Sequence, residues 1–451
     1  MMPSAGRLPA RPRPEDPAHG TRSMTATAYP PSYYAATAHE APERPPLDGD
    51  VSCDVCVIGA GYTGLSTALH LAKKGRRVVV IEAERVGWGA SGRNGGQLHS
   101  GQRRDQETLE AWFGEARAHA LFELAEEAKR TVKSLIATHA IDCDWRDGLI
   151  HAVHKKSWLH SANAEVEHLM ARYGYEGTSF LDAEALTRAI GTDVYHGGWR
   201  DGTAGHLHPL NYALGLARAC EEAGVRICEG TRATAIESDG GGHRRVVTPT
   251  GAIASPDVVI AANGYLEGLE RDVDAHVMPI RNYVLATEPL GHRASRLIPF
   301  REAVADSRFV VHYWRISSDG RMIFGGGETY GRTEPKDLKG FVRAHMLKVY
   351  PDLADVAIDY AWGGTLAVTM NRMPYFRRLR PGVYTASGYS GHGVAIATFA
   401  GKLLAEAIEG DTSRFDLMAS IPAKTFPGGR WLRHPTLVLA MSWFALRDRL
   451  G

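Results

Sequence analysis

The chain has 451 residues, 44% of them hydrophobic and 23% charged, with a formal net charge of +1. That length exceeds one small domain and fits two intertwined ones. So small a net charge gives no field to hold nucleic acid or anionic lipid. No uninterrupted apolar run reaches the roughly 18 residues of a spanning helix, so a cytoplasmic chain without membrane or nucleic-acid partners is expected.

In chain order, residues 1–44 are rich in Pro, Ala and Arg and lack the apolar core of a secretory signal. They read as a disordered tail, with Met24 a candidate start. Ser52 to Ile58 is a buried-strand pattern. A glycine turn follows, then a helix over Leu65 to Lys74, stopped by Gly75, and a second strand over Arg77 to Glu82. This is one βαβ unit. Helices are expected over Ala111 to Ile141, Trp158 to Tyr173, Asp182 to Ile190 and Leu210 to Gly224. Short strands are expected at Val225 to Ile227, Thr234 to Ser238, Arg245 to Thr248 and Val258 to Ala262. Phe309 to Ile316 and Met322 to Gly325 form a hairpin around Ser318-Asp319-Gly320. An alanine-rich helix runs from Gly393 to Ile408, and the apolar stretch Thr436 to Leu446 reads as a buried terminal helix.

The five cysteines are odd in number and have no framework spacing, which argues for a reducing compartment. Cys53 and Cys56 are spaced C-x-x-C, but on one strand they would point to opposite faces, and no second pair completes a zinc site. No metal site or nucleophilic triad is expected.

Three glycine-rich segments carry chemistry. Gly59-Ala60-Gly61-Tyr62-Thr63-Gly64 is G-x-G-x-x-G between a strand and a helix, where a pyrophosphate meets the helix N-terminus. Glu82, followed by Ala83, ends the second strand about twenty residues on, where its carboxylate binds ribose hydroxyls and repels a 2′-phosphate. The loop after it, Gly87 to Gln97, interleaves glycines with polar groups (Ala90, Ser91, Arg93, Asn94, Gly95, Gly96 and Gln97) and suits a pyrophosphate and a flat ring. Arg93 either pairs with phosphate or supports the loop. Gly388-Tyr389-Ser390-Gly391-His392-Gly393 opens the alanine-rich helix, a second anion-binding helix start that suits charge developing on a flavin. A nicotinamide dehydrogenase would explain the first turn and leave this last segment without a task.

These segments, together with Asp257 to Gly264 (D-V-V-I-A-A-N-G), resemble the glycine oxidase and D-amino acid oxidase superfamily of FAD enzymes. Ser32 to Ala36, Gly205 to Asn211, Phe426 to Arg430 and Leu446 to Gly451 narrow the resemblance to its gamma-glutamylputrescine oxidase branch. The resemblance implies an α/β fold: a Rossmann-like FAD-binding domain (45–105, 195–270 and 365–412) interleaved with an α+β substrate domain on a mainly antiparallel sheet (106–194 and 271–364). A tail and helix close the chain (413–451). It implies noncovalent FAD, with Ala233, Asn263 and Gly264 added to the cofactor contacts. It also implies a small-molecule amine substrate oxidised to an aldehyde, with molecular oxygen reduced to hydrogen peroxide. His392 and His208 are the candidate catalytic residues, with His206 beside them. Tyr283, Tyr313, Trp314 and Trp362 are candidate aromatic walls, and Arg281 and Arg372 candidate partners of a substrate carboxylate. A sarcosine or D-amino acid oxidase or dehydrogenase, and a noncatalytic flavin-binding protein, remain open alternatives.

Overall fold

A computed structural model describes residues 28–238, 240–329 and 333–427. At its centre is a six-stranded sheet in the spatial order Tyr375–Arg380, Val383–Ser387, Asp257–Ile260, Val55–Ile58, Val78–Ile81, Arg226–Cys228. The last five are parallel, and Tyr375–Arg380 runs antiparallel at the edge. Val55–Ile58 and Val78–Ile81 are buried on both faces. That is why they read as unbroken apolar runs rather than alternating ones. The helices Tyr62–Ala72, Pro209–Glu222 and Gly393–Ile408 contribute their apolar sides to one shared core on this sheet.

A four-stranded sheet joins Val51–Ser52 to Gly251–Ser255, Arg244–Thr248 and Ala235–Ser238. The strand expected over Ser52 to Ile58 therefore breaks at Cys53-Asp54, where the chain leaves this sheet for the central one. The two cysteines consequently do not face opposite ways: Cys53, Cys56 and Cys228 pack in one buried cluster as free thiols. Burial pushes the Cys53 thiol up to about 11, so it stays protonated and unreactive. Among the described residues no group of His, Cys, Asp or Glu could hold a metal ion.

The third sheet has nine strands. Along it lie Ile358–Val368, Met278–Pro289, Arg321–Thr329, Tyr313–Ile316, Ala303–Asp306, Arg146–Ala152, Gly198–His206 and Gln97–Leu98, with Thr178–Leu181 paired to Gly198–His206. All pairs are antiparallel except Ala303–Asp306 with Arg146–Ala152. Gly198–His206 and Gln97–Leu98 thus belong to the large sheet, although 195–270 and 45–105 were assigned to the cofactor domain from sequence.

Two further expectations are corrected. The single helix over Ala111 to Ile141 is two, Gln106–Phe113 and Glu115–Thr138, because Gly114 between them sits at φ +80°. The disordered tail does not extend to residue 44. Ser32 caps a short helix, Tyr33–Ala36, whose Tyr33 and Tyr34 are buried, and Arg44 pairs with Glu221 at 2.7 Å and Glu229 at 3.4 Å. Aromatic burial holds this segment down, and its Pro- and Ala-rich composition hid that. After residue 412 the chain forms the helix Ser413–Ala419. Gly428 to Arg430, Thr436 to Leu446 and Leu446 to Gly451 lie outside the described residues, as does Met24.

Candidate active site

A cavity of about 1380 Å³ opens at the carboxyl ends of the central strands, where open α/β sheets bind ligands. Ile58, Ile81 and Ala261 lie on its floor at or just past the ends of three adjacent strands. Its volume exceeds the roughly 300–1,000 Å³ of ordinary small-molecule pockets, so it has room for a dinucleotide and more.

The first glycine turn forms one wall. Gly59 has φ +110°, and a Cβ there would stand 2.8 Å from the Ala261 carbonyl oxygen. A Cβ on Gly64 would fall inside the Gly59 carbonyl, so only glycine lets the helix seat this close to the strand. Gly61 caps the helix without a side-chain bond, and Ser91 Oγ accepts the Tyr62 N–H at 3.0 Å. Glu82 is half-buried beside the turn, where its carboxylate accepts the Ala60 N–H at 2.8 Å and the Glu84 N–H at 3.0 Å. Desolvation raises its pKa, and the two N–H donors oppose that rise. Ala83 and Ala233 line the same end.

The loop after Glu82 lies across the cavity. Asn94 ties it internally, donating to the Ala90 and Ser91 carbonyls and accepting the Gly96 N–H at 2.7 Å. Arg93 supports the loop: it donates to Gly363 O at 3.1 Å and Tyr265 Oη at 2.6 Å and lies 4.5 Å from the Trp88 ring. Gln97 anchors the loop to the large sheet through Val304 O at 2.8 Å.

The distant glycine segment meets the first. Tyr389 Oη and Thr63 Oγ1 share a hydrogen bond of 2.7 Å, and Asn263 Oδ1 accepts the Gly388 N–H at 3.0 Å. Asn263 and Ser390 both take positive φ, +47° and +51°. For residues other than glycine this strain collects at functional sites. Gly264, Tyr389, Ser390, Gly391, His392 and Gly393 all face the cavity, as do Gly95 and Ala90; Ala60, Gly64, Gly96 and Gly388 stand behind it and shape the backbone.

The candidates on the substrate side divide. Tyr313, Arg281 and Arg372 line the cavity. Tyr313 Oη donates to Asn282 Oδ1 at 2.5 Å, and its ring fills the space that a side chain on Gly95 would need. Arg281 is partly spoken for by Glu334 at 3.2 Å. Trp314 is instead packed in the core behind the large sheet and donates to Tyr350 Oη. Tyr283 lies in the same core, bonded to Thr329 Oγ1, and Trp362 is buried with its N–H on Arg93 O. Alternation puts Tyr283 and Trp314 in the core behind the sheet, whereas Trp362, opposite Val284, lies on the other face in the core against which Tyr313 packs. His208 is not in the cavity. It caps Pro209–Glu222, its Nδ1 accepting the Asn211 N–H at 3.1 Å. His206 is buried against Arg301 O at 2.7 Å.

Among the cavity residues missed are His99, His151 and Arg103. His99 stacks on His392, centroids 4.6 Å apart, and stands 5.5 Å from His151, which stacks on Trp199 at 4.5 Å. Burial holds His99 near 3 and His151 near 4, and holds His392 well below the usual imidazole range, with nearby Arg103 adding to each shift. The wall is therefore neutral at pH 7. Arg103 stands beside these rings and stays cationic at that pH. The overlooked signal was alternation: His99 stands two residues beyond Gln97 and shares its side of extended backbone.

A family model described as DAO, FAD dependent oxidoreductase, matches residues 54–407. The chain belongs to this family. Within the DAO family it is 44% identical to the probable oxidoreductase OrdL of Rhizobium meliloti (strain 1021), over 93% of this chain and 97% of that one. It is 40% identical to the gamma-glutamylputrescine oxidoreductase of Escherichia coli (strain K12), over 93% and 98%. Among solved structures it resembles glycine oxidase from Geobacillus kaustophilus, with TM-score 0.67 and 21% identity over 79% of this chain and 95% of that one. The fold is that of the DAO enzymes, and the protein is an FAD-dependent oxidoreductase. Its residues fit the cofactor: a glycine cradle that a Cβ would fill, a half-buried carboxylate at the second strand end, and a cavity of dinucleotide size.

Proposed function

We propose that this DAO-family enzyme oxidises the terminal primary amine of gamma-glutamylputrescine, or of a similar acylated diamine. The observation that carries this reading is one continuous cavity. It runs from Glu82 at the nucleotide end to Tyr313 and the neutral histidines, with volume beyond the cofactor's need. Similarity to the E. coli gamma-glutamylputrescine oxidoreductase along nearly the full chain supports the substrate.

Glu82 and Ala233 would hold the adenosine end, the Gly59–Gly64 turn with Ser91 would take the pyrophosphate, and the Gly388–Gly393 segment would lie by the flavin ring. FAD, when bound, supplies the acceptor for a hydride from the amine-bearing carbon, and oxygen restores it. The amine must be neutral to release that hydride, yet a free alkylamine has a pKa near roughly 10. The uncharged wall of His99, His151, His392 and Tyr313 favours the neutral form. His392 offers its imidazole as a hydrogen-bond acceptor to the amine N–H. Water then hydrolyses the imine, so amine, oxygen and water become aldehyde, ammonia and hydrogen peroxide.

FAD is held without a covalent bond. None of the five cysteines lines the cavity, and the loop after Glu82 carries Arg93 and Asn94 and, as far as Gln97, no cysteine or histidine. Acid precipitation should leave the yellow colour in the supernatant. The decisive experiment is anaerobic flavin bleaching with gamma-glutamylputrescine, putrescine, sarcosine, glycine and D-amino acids. Gamma-glutamylputrescine should bleach it fastest, and air should then yield hydrogen peroxide. Faster bleaching by sarcosine, glycine or a D-amino acid would overturn the reading.

A further inference from the structure

The segment that precedes the first strand is fastened to the cofactor loop at several points. Tyr29 Oη donates to Val86 O at 2.8 Å, and the Arg85 guanidinium sits 4.7 Å from the centre of its ring. The Trp88 indole N–H donates to Ala28 O at 3.3 Å. Further along the segment, Arg44 donates to Glu229 Oε1 at 3.4 Å, and the same oxygen accepts the Val86 N–H at 2.9 Å. Glu229 Oε2 lies 3.5 Å from Arg85 Nε. One carboxylate therefore joins residue 44 to both Arg85 and Val86. The Leu47 N–H donates to Thr231 Oγ1 at 2.9 Å, and the Thr231 N–H to Glu82 O at 2.7 Å.

All these bonds converge on residues 82–88, and that stretch is a wall of the cavity. Glu84, Gly87, Trp88 and Thr231 line it. From there Trp88 reaches the segment after Asp257–Ile260: its ring meets that of Tyr265 edge-on at 5.9 Å, with the Arg93 guanidinium 4.5 Å away. Opening the cavity at this end means moving Trp88, and the bonds of Ala28 and Tyr29 resist that. The hub behind them is stiff. Arg44 and Glu229 are each only 3% exposed, and a buried charge left without its partner is strongly unfavourable. The turn is thus held to the one position in which both arginines reach Glu229. Residues 28–47 precede the stretch 54–407 that the family model matches, so this fastening lies outside what that model describes.

We propose that residues 28–47 are a clasp that retains FAD, with Tyr29 and Glu229 as positioning residues that act on the cofactor through the Val86–Trp88 turn. The clasp slows FAD release and takes no part in the oxidation itself. It rests on the cofactor assignment alone, so it stands or falls separately from the choice of amine.

Release is read from the rise in flavin fluorescence when holoenzyme is diluted. Tyr29→Phe keeps the ring beside Arg85 and removes one neutral hydrogen bond, so release should quicken about twofold to tenfold. Glu229→Gln removes a charged acceptor and should quicken release about tenfold to a hundredfold, with Glu229→Asp restoring part of the loss. At saturating FAD, kcat and the KM for the amine should stay unchanged in both. Glu221→Gln is the control. Glu221 pairs with Arg44 at 2.7 Å from the helix Pro209–Glu222 and, among the described residues, makes no bond to the turn. Its loss should lower the urea midpoint of the apoprotein and leave FAD release as it was. Release that quickens equally in Glu221→Gln and Glu229→Gln would overturn the proposal, as would unchanged release in Tyr29→Phe. Coupling is reciprocal, so in the unaltered protein FAD should slow hydrogen exchange in peptides covering residues 28–47. Equal exchange with and without FAD would sink the clasp, and this comparison decides alone should Glu229→Gln fail to fold.

Discussion

Glu82 shows how one side chain can serve both fold and ligand. Its two oxygens accept N–H groups of Ala60 and Glu84, so the carboxylate fixes the glycine turn on which the cofactor rests. Glu82→Gln would turn an NH2 toward one of those N–H donors and remove the charge. A hydrogen bond to a charged group contributes about 1.5–3 kcal/mol, so the Kd for FAD should rise about tenfold to a hundredfold, read by quenching of flavin fluorescence on titrating apoprotein. An unchanged Kd would mean that Glu82 has only a turn-shaping role that glutamine can fill. Glu82 was legible from its spacing after G-x-G-x-x-G. His99, Arg103 and His151 were not, because no local motif marks a residue whose partners are brought in by other strands. His208 misled for the opposite reason. It lies in a distinctive motif, but its Nδ1 caps the start of a helix and its ring packs 4.9 Å from that of Tyr34.

At the scale of elements, what could be read was what is local. The βαβ unit, its glycine turn and the helix at Gly393–Ile408 all follow from short-range pattern. The large sheet did not. Its longest strands, Met278–Pro289 and Ile358–Val368, pair across a gap of about seventy residues, and each bends at irregular register. Neither shows the clean alternation that marks a strand half exposed to water. The cofactor helices pack so tightly that substitution there is an element-scale test. A methyl on Gly64 collides with the Gly59 carbonyl, and that backbone cannot yield without moving the whole turn. Gly64→Ala should therefore cost about 3 kcal/mol, lowering the urea midpoint and the yield of FAD-bound protein together. Normal flavin content with an unchanged midpoint would show that helix and strand have slack the structure does not contain. Gly49, where a Cβ meets nothing within 4 Å, sits at φ +72°, so a substitution there is strained in backbone only and should cost less.

The whole molecule carries an acid sensitivity built from buried imidazoles. His70 and His151 are held near 4, and His99, His206, His208 and His312 near 3, in each case chiefly by burial. Unfolded, each titrates near roughly 6.5. Because the folded pKa is depressed, the unfolded chain binds more protons below that value, so stability is full above about pH 6.5 and is lost as the pH falls toward 4. Each group contributes about 1.4 kcal/mol per pH unit in that window. Buried carboxyls work the other way: Glu165 is raised to about 7 by burial and by Asp105 and Glu107, and Glu82 and Asp306 are also raised. They gain protons on folding and offset part of the loss, but the imidazoles outnumber them. Against a total stability of roughly 5–15 kcal/mol, the net effect should dominate within about two pH units. The holoenzyme Tm should be level above about pH 7 and fall steeply between pH 6.5 and 5, with FAD released in the same interval. A Tm that stays level down to pH 5 would mean that these rings reach solvent or an acid partner, and would undo the neutral histidine wall on which the choice of amine depends.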